Sequence, residues 1–211
     1  MTTPAHLPDR SAHLTDVPVH VRRATPEDGG LLELLWLLFR HDMSAVSGEL
    51  PRPDGRFRDE RLRAALDDLG HDAPGHDGGT ARRGAVWRSY LATVRVPVDG
   101  PAEHAAPHAA GERPVAFALV RGLDAPARVL SAFFVVRAAR RHGIGRDVAA
   151  AVLRDVPGPW EVAFQDANAA AAAFWPRVAT DVAGDAWSVT HRPVPGRPGV
   201  PPDAWLSLTV G

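Results

Sequence analysis

Residues 132–178, AFFVVRAARRHGIGRDVAAAVLRDVPGPWEVAFQDANAAAAAFWPRV, decide the fold. The segment opens on Ala132 to Val136, an apolar run of strand length. A charged turn, Arg137 to Gly145, leads into Arg146 to Val156, an alanine-rich stretch that reads as a helix. Pro157-Gly158-Pro159 punctuates it. Trp160 to Gln165 then reads as a second strand and Asn168 to Val178 as a second helix. Strand, crossover helix and strand form one βαβ unit, which places the two strands parallel.

Working outward, the pattern changes on both sides. Upstream, VHVRRA (19–24) alternates like a first strand. Thr25-Pro26-Glu27-Asp28 has the chemistry of a helix start, with a capping Thr, Pro at the first position and acids at the positive end. LLELLWLLFRHDM (31–43) is an apolar helix to be packed on a sheet, broken between Gly48 and Gly55. FRDERLRAALDDL (57–69) is a second, more amphipathic helix. Strands follow at 85–96, 114–122 and 127–136, separated by polar loops at 70–84 and 97–113. Downstream, WSVTHRPV (187–194) and AWLSLTV (204–210) are two more strands. Four strands, a βαβ unit, a helix and two strands argue a mixed sheet in an α/β or α+β domain. A doubly wound fold would repeat the βα unit more often. Residues 1–17 read as a flexible arm and 18–211 as one domain, in keeping with 211 residues.

Composition removes several function classes. The chain has no cysteine, so a thiol nucleophile, a disulfide scaffold and a cysteine-ligated metal are excluded. All 24 basic residues are Arg, so no lysine can form a Schiff base. A net charge of −1 gives no reason to expect a nucleic-acid partner. No apolar run has the length of a membrane span. The polar start is not a secretory signal, which leaves a cytoplasmic location as the expectation. His71 with His76, and His104 with His108, have no third ligand nearby and read as solvated loop histidines, so no metal is expected.

Two segments carry chemistry. In Arg140-Arg141-His142-Gly143-Ile144-Gly145-Arg146, the glycines allow a tight turn and a close approach of backbone to ligand. The helix beginning near Arg146 adds unpaired N–H groups and a partial positive charge. Together they suit a pyrophosphate; the alternative is a glycine turn with a solvated basic face. A dinucleotide fingerprint is a poor match, because six residues separate the strand from Gly143 and position 148 is Val. The second segment, Asn168 to Trp175, follows the next strand. Asp166 or Asn168 can simply cap that helix, and Phe174 is assigned to the core.

In this order and spacing the two segments resemble the GNAT superfamily of acyl-CoA-dependent N-acyltransferases. Its first motif, (R/Q)-x-x-G-x-(G/A), is matched by Arg140 to Gly145. Its second, N-x-x-A-x-x-(F/L)-Y, is matched by Asn168, Ala171 and Phe174, with Trp175 in place of the tyrosine. The resemblance is clear over 113–178, and Phe133-Phe134-Val135 with the F-W ending is similar to a bacterial branch of the superfamily. It implies a mostly antiparallel sheet of six or seven strands with about four helices, splayed between parallel strands four and five. It also implies acetyl-CoA in that gap. By position, backbone groups of Phe133, Phe134 and Val135 would pair with the pantetheine arm. Arg140, Arg141, His142, Gly143, Ile144, Gly145 and Arg146 would hold the pyrophosphate. Asn168 and Trp175 would meet the cofactor's reactive end, without the thiolate-protonating acid a tyrosine could supply. His41 and Asp42 would attract the amine acceptor, which could be a small molecule, a peptide or a protein; the resemblance also admits a homodimer. No catalytic base is assigned; Asp42, Glu49, Tyr90, Asp166 and His191 are candidates, and Ala132 stands where relatives sometimes place an acid. The rivals are an acyl-CoA-binding module without turnover and a nucleotide-binding oxidoreductase.

Overall fold

The computed structural model describes residues 17–69, 86–95, 111–196 and 199–211. The expected arm and most of the two long polar loops lie outside the described residues. Seven strands form one sheet in the order β1-β2-β3-β4-β5-β7-β6. They are β1 (Val19–Arg23), β2 (Trp87–Arg95), β3 (Glu112–Arg121), β4 (Arg128–Val135), β5 (Gly158–Phe164), β6 (Trp187–Arg192) and β7 (Asp203–Val210). Every neighbouring pair is antiparallel except β4 with β5. The helices are α1 (Gly29–Ser47), α2 (Glu60–Asp67), α3 (Ile144–Asp155) and α4 (Ala169–Ala183). The expected mixed sheet, parallel pair and four helices are all present. Among the described residues no helix is long and apolar enough to cross a membrane.

The sheet is covered on both faces. Val115 to Val120 of β3 are all buried, as a central strand with helices on either side must be; such a strand reads as a continuous apolar run rather than an alternation. One face packs Leu32, Leu35 and Trp36 of α1 and Leu62 and Ala65 of α2 against Leu91, Phe117, Leu119, Ala132 and Phe134. The other packs Ile144, Val148, Val152, Trp175 and Val178 of α3 and α4 against Ala116, Ala118, Val135, Val162 and Leu206.

The expected helix start at Thr25 is a 3-10 turn over Pro26–Asp28, and α1 proper begins at Gly29. The reason is Asp28, a capping-box acid whose carboxylate accepts the Thr25 N–H at 2.8 Å and a fork from Arg22 at 2.6 and 2.8 Å. Helix α4 runs on past the expected end at Val178 to Ala183 with Pro176 inside it. Val178 and Ala179 beyond the proline are buried against the sheet, and that contact offsets the hydrogen bond the proline ring removes.

Candidate active site

β4 and β5 pair only from Arg128–Trp160 to Leu130–Val162, although β4 continues to Val135 and β5 to Phe164. Beyond Leu130 the strands diverge into a V. The divergence begins at a bulge, since Leu119 of β3 faces Ala132 and Val120 faces Leu130, leaving Ser131 unpaired. Val136 donates its N–H to Val115 of β3 at 2.8 Å. Alternation along an antiparallel pair therefore turns the N–H and C=O of Phe133 and Val135 toward β5, into the V, and those of Phe134 toward β3. Of the three residues expected to pair with a pantetheine arm, Phe133 turns both backbone groups to this edge and Val135 its N–H, the Val135 carbonyl being taken by Arg140, while those of Phe134 turn to β3. The Phe134 ring is packed under α1 instead.

The turn at the mouth of the V begins with a 3-10 turn over Arg137–Ala139. Arg141 (φ 69°) and Gly143 (φ 80°) take the left-handed conformation, which reverses the chain twice within three residues and aims it into α3. Gly143 accepts from the N–H groups of Arg146 and Asp147, at 2.8 and 3.2 Å. No described backbone carbonyl takes the N–H groups of Arg141, His142 or Gly143. With the first amides of α3, they are donors at the positive end of a helix. Gly145 lies where a Cβ would come 3.4 Å from Val135 Cγ2 and 3.6 Å from the Phe174 ring. Its lack of a side chain lets α3 sit close against β4 and α4.

The side chains divide differently from the sequence expectation. Arg140 turns inward: its Nε donates to the Val135 carbonyl at 2.8 Å, its guanidinium lies 5.6 Å from the centre of the Phe134 ring, and it pairs with Asp42. Arg137 pairs with Asp42 as well, at 2.9 Å. Burial works to raise the Asp42 carboxyl, but the bonds from Arg140 and Arg137 outweigh it and hold the group below the ordinary carboxylate value. Arg146 points away from the turn and pairs with Asp181 of α4. His41 is exposed on α1, and its carbonyl accepts from the Ser44 hydroxyl.

Asn168 occupies the N-cap of α4, its side-chain oxygen accepting from Ala171 N–H at 3.2 Å. Its amide nitrogen faces Met43 Sδ of α1 at 3.9 Å. The capping role is thus present, with the amide end directed toward α1. Trp175 is the more deeply buried of the F-W pair, at 6% exposure, while Phe174 is half-buried. Both pack on the core, Trp175 more deeply, because the helical period points 175, 178 and 179 at the sheet and leaves 174 on the flank beside Gly145. Phe133, Phe174 and Trp175 form an aromatic cluster with centroids 4.8 to 5.8 Å apart.

The candidate bases separate clearly. Tyr90 bonds Asp155 at 2.7 Å, about 17 Å along α3 from the turn at its other end. Burial, then the Asp155 carboxylate, push its hydroxyl above the ordinary tyrosine value. Glu49 is held by Arg40 and Arg58. Asp166 and His191, named separately from the sequence, are one pair: Asp166 Oδ2 lies 2.9 Å from His191 Nε2. The pairing was invisible because 25 residues separate them and the β5–β7–β6 arrangement joins them. Asp166 lies two residues past the end of β5, and His191 is on β6, which β5 and β7 separate from β4. Surface cavities of about 450 and 310 Å³ lie near β6 and along α4, and neither is lined by residues 131–145. Among the described residues no group of three His, Asp or Glu side chains is placed to hold a metal.

No family model and no curated protein matches the sequence. Solved structures do. A GNAT-family acetyltransferase from Staphylococcus aureus Mu50 is similar with a TM-score of 0.55 at 11% identity, over 92% of this chain and 100% of that one. An IAA acetyltransferase from Bacillus cereus gives 0.51 at 8% identity, over 92% and 100%. PaiA N-acetyltransferase from Thermoplasma acidophilum, solved with coenzyme A, gives 0.51 at 10% identity, over 91% and 99%. The strand order, the V between β4 and β5 and these likenesses agree: the chain has the fold of the GNAT acetyltransferases.

Proposed function

We propose that the protein is an acetyl-CoA-dependent N-acetyltransferase whose acceptor amine attacks the thioester directly. One observation carries the reading: the β4 edge beyond Leu130, which β5 does not pair, leads to a turn at the start of α3 whose N–H groups no described backbone carbonyl takes. A strand edge suits the amide-bearing pantetheine, and the turn suits the pyrophosphate. That a neighbour of the same fold, from Thermoplasma acidophilum, was solved with coenzyme A supports the choice of ligand. A cytoplasmic location belongs to this reading.

When bound, acetyl-CoA supplies the activated acetyl group. Arg141, His142, Gly143 and the first amides of α3 would hold its phosphates. Val135 N–H is the donor nearest the point where β4 ends and is suited to the developing oxyanion. His191, half-exposed and held by Asp166, is assigned the amine proton; Asp42 and Glu49 are already committed to arginines, and Tyr90 is at the wrong end of α3. Histidine suits this work because it exchanges protons near neutral pH. Trp175 cannot give a proton to the departing thiolate. With a pKa of about 8.5 by the cysteine reference, a thiol leaves readily without one.

The test is thiol release from acetyl-CoA across a panel of amines, with wild type and His191→Ala. General-base loss predicts a fall in kcat of about 10²-fold or more with the acetyl-CoA KM unchanged. Unchanged kcat in a folded His191→Ala protein would remove His191 from the mechanism. Stabilisation by acetyl-CoA with no release for any amine would favour the acyl-CoA-binding module. Stabilisation by NAD(P) in place of acetyl-CoA would favour the oxidoreductase.

A further inference from the structure

The face of the V opposite α3 and α4 carries a group of arginines that the cofactor does not need. Arg61 of α2 reaches over the sheet and donates Nη1 to the carbonyl of Ser131, the bulge residue at the apex of the V, at 3.2 Å. That carbonyl is the one hydrogen-bond partner of its guanidinium among the described residues, and no carboxylate pairs with it. Arg40, Arg58 and Arg121 are close enough for their charge to act on it. Burial first, then repulsion from Arg121, Arg40 and Arg58, lowers its pKa, with Asp203 acting the other way. Against these four cations stand Glu49, shared between Arg40 and Arg58, and Asp203.

Two further polar atoms there are buried without partners. One is the Nε of Arg40, whose side chain is 15% exposed; the other is the hydroxyl of Ser131 itself. Leaving a buried donor unsatisfied costs free energy that a ligand acceptor can recover. Arg61 and the Ser131 hydroxyl thus meet at the bulge, and Arg40 is near enough for its charge to act on Arg61.

The position matters as much as the charge. The phosphate-suited turn belongs to the α3 end of the V, and Arg146 is already neutralised there by Asp181. Arg61 and Arg40 lie on the α1 and α2 face, at the apex. The end of α1 also crosses the mouth of the V, where Asp42 meets Arg140 and Met43 meets Asn168.

We propose that Arg61, with Arg40 and the Ser131 hydroxyl, forms an anion subsite for the acceptor, so that the substrate is a small amine bearing a carboxylate or a phosphate. Its place as an acceptor subsite rests on the acyl-transfer reading; its preference for an anion does not. Arginine suits the task because its planar fork matches carboxylate and phosphate oxygens in pairs.

The experiment is a calorimetric titration of CoA-saturated protein with matched amines. α-Amino acids are compared with their carboxamides, and phosphoethanolamine with ethanolamine. An anionic member is expected to bind about tenfold or more tightly than its neutral partner, the scale of a charge-assisted hydrogen bond. The arm that shows the preference identifies the anion as carboxylate or phosphate. Arg61→Gln should collapse the ratio toward one, and Arg61→Lys should keep part of it because the charge remains while the fork is lost. CoA affinity should be the same in all three proteins. Equal binding within every pair, or a ratio untouched in Arg61→Gln, overturns the proposal. If CoA itself fails to bind, the acyl-transfer reading fails, and the same titration on the free protein still reads the anion preference.

Discussion

Gly143 and Gly145 do different jobs, and substitution separates them. Gly143 sits at φ 80° with nothing within 4 Å of a built Cβ, so Gly143→Ala costs backbone strain of about 1–2 kcal/mol rather than a clash. Gly145 has ordinary φ but faces Val135 and Phe174, so Gly145→Val forces α3 off β4. Both should weaken acetyl-CoA binding, the second by displacing the helix. Wild-type affinity in folded Gly145→Val, read by calorimetry, would defeat the placement of the phosphates. Asn168→Ala removes a cap seen in the structure and should cost about 1 kcal/mol of stability by thermal unfolding. A rise in acetyl-CoA KM on the same variant is the separate signature of a cofactor contact through its amide. Trp175→Ala empties a buried aromatic site and should cost about 3–5 kcal/mol. Trp175→Phe keeps most of the packing and should slow turnover modestly, so a folded, acetyl-CoA-binding Phe variant slowed more than about 10³-fold would rule out a packing role.

At the scale of elements, the C-terminal end of α3 is fixed by Asp155, which collects Tyr90 at 2.7 Å, Arg23 at 3.1 Å and Arg88 at 3.2 Å. This ties α3 to β1 and β2 while its other end opens the turn. Burial works to raise the Asp155 carboxyl, but the Tyr90 hydroxyl and the arginines hold it below its ordinary value. A carboxylate with a depressed folded pKa stabilises the protein above its unfolded value of about 3.9 and loses that contribution as acid protonates it. Wild type should therefore exceed Asp155→Asn in stability at neutral pH, and the gap should close as pH falls below about 4. A gap independent of pH in urea unfolding would show that the carboxylate's charge contributes nothing. Much of this level was legible in the sequence: the βαβ unit, the glycine turn and the helix at Asn168 all appear where the 132–178 segment placed them. The long-range polar contacts were not legible. Asp42 with Arg140, Arg146 with Asp181 and Arg61 over Ser131 join residues 35 to 98 positions apart, and local periodicity carries no information at that range. The burial of Trp175 rather than Phe174 was readable in principle from the helical period of α4, had the strand it faces been known.

For the whole molecule, one continuous sheet carries two cores, and the place where the β4–β5 ladder opens is also where α1, α3 and α4 converge. Strand order sets this up. β4 must be parallel to β5 because a crossover helix joins them, and the bulge at Ser131 then turns the end of β4 away from its partner. A closed ladder there would leave no strand edge for a pantetheine arm, so the account stands or falls on ligand occupancy of the V. Amide hydrogen exchange with and without coenzyme A tests this most directly. The account predicts slowed exchange at Phe133, Val135 and residues 141–145, with the β6–β7 ladder unchanged. Protection confined to other elements, or no protection at a CoA concentration that saturates binding, would contradict it.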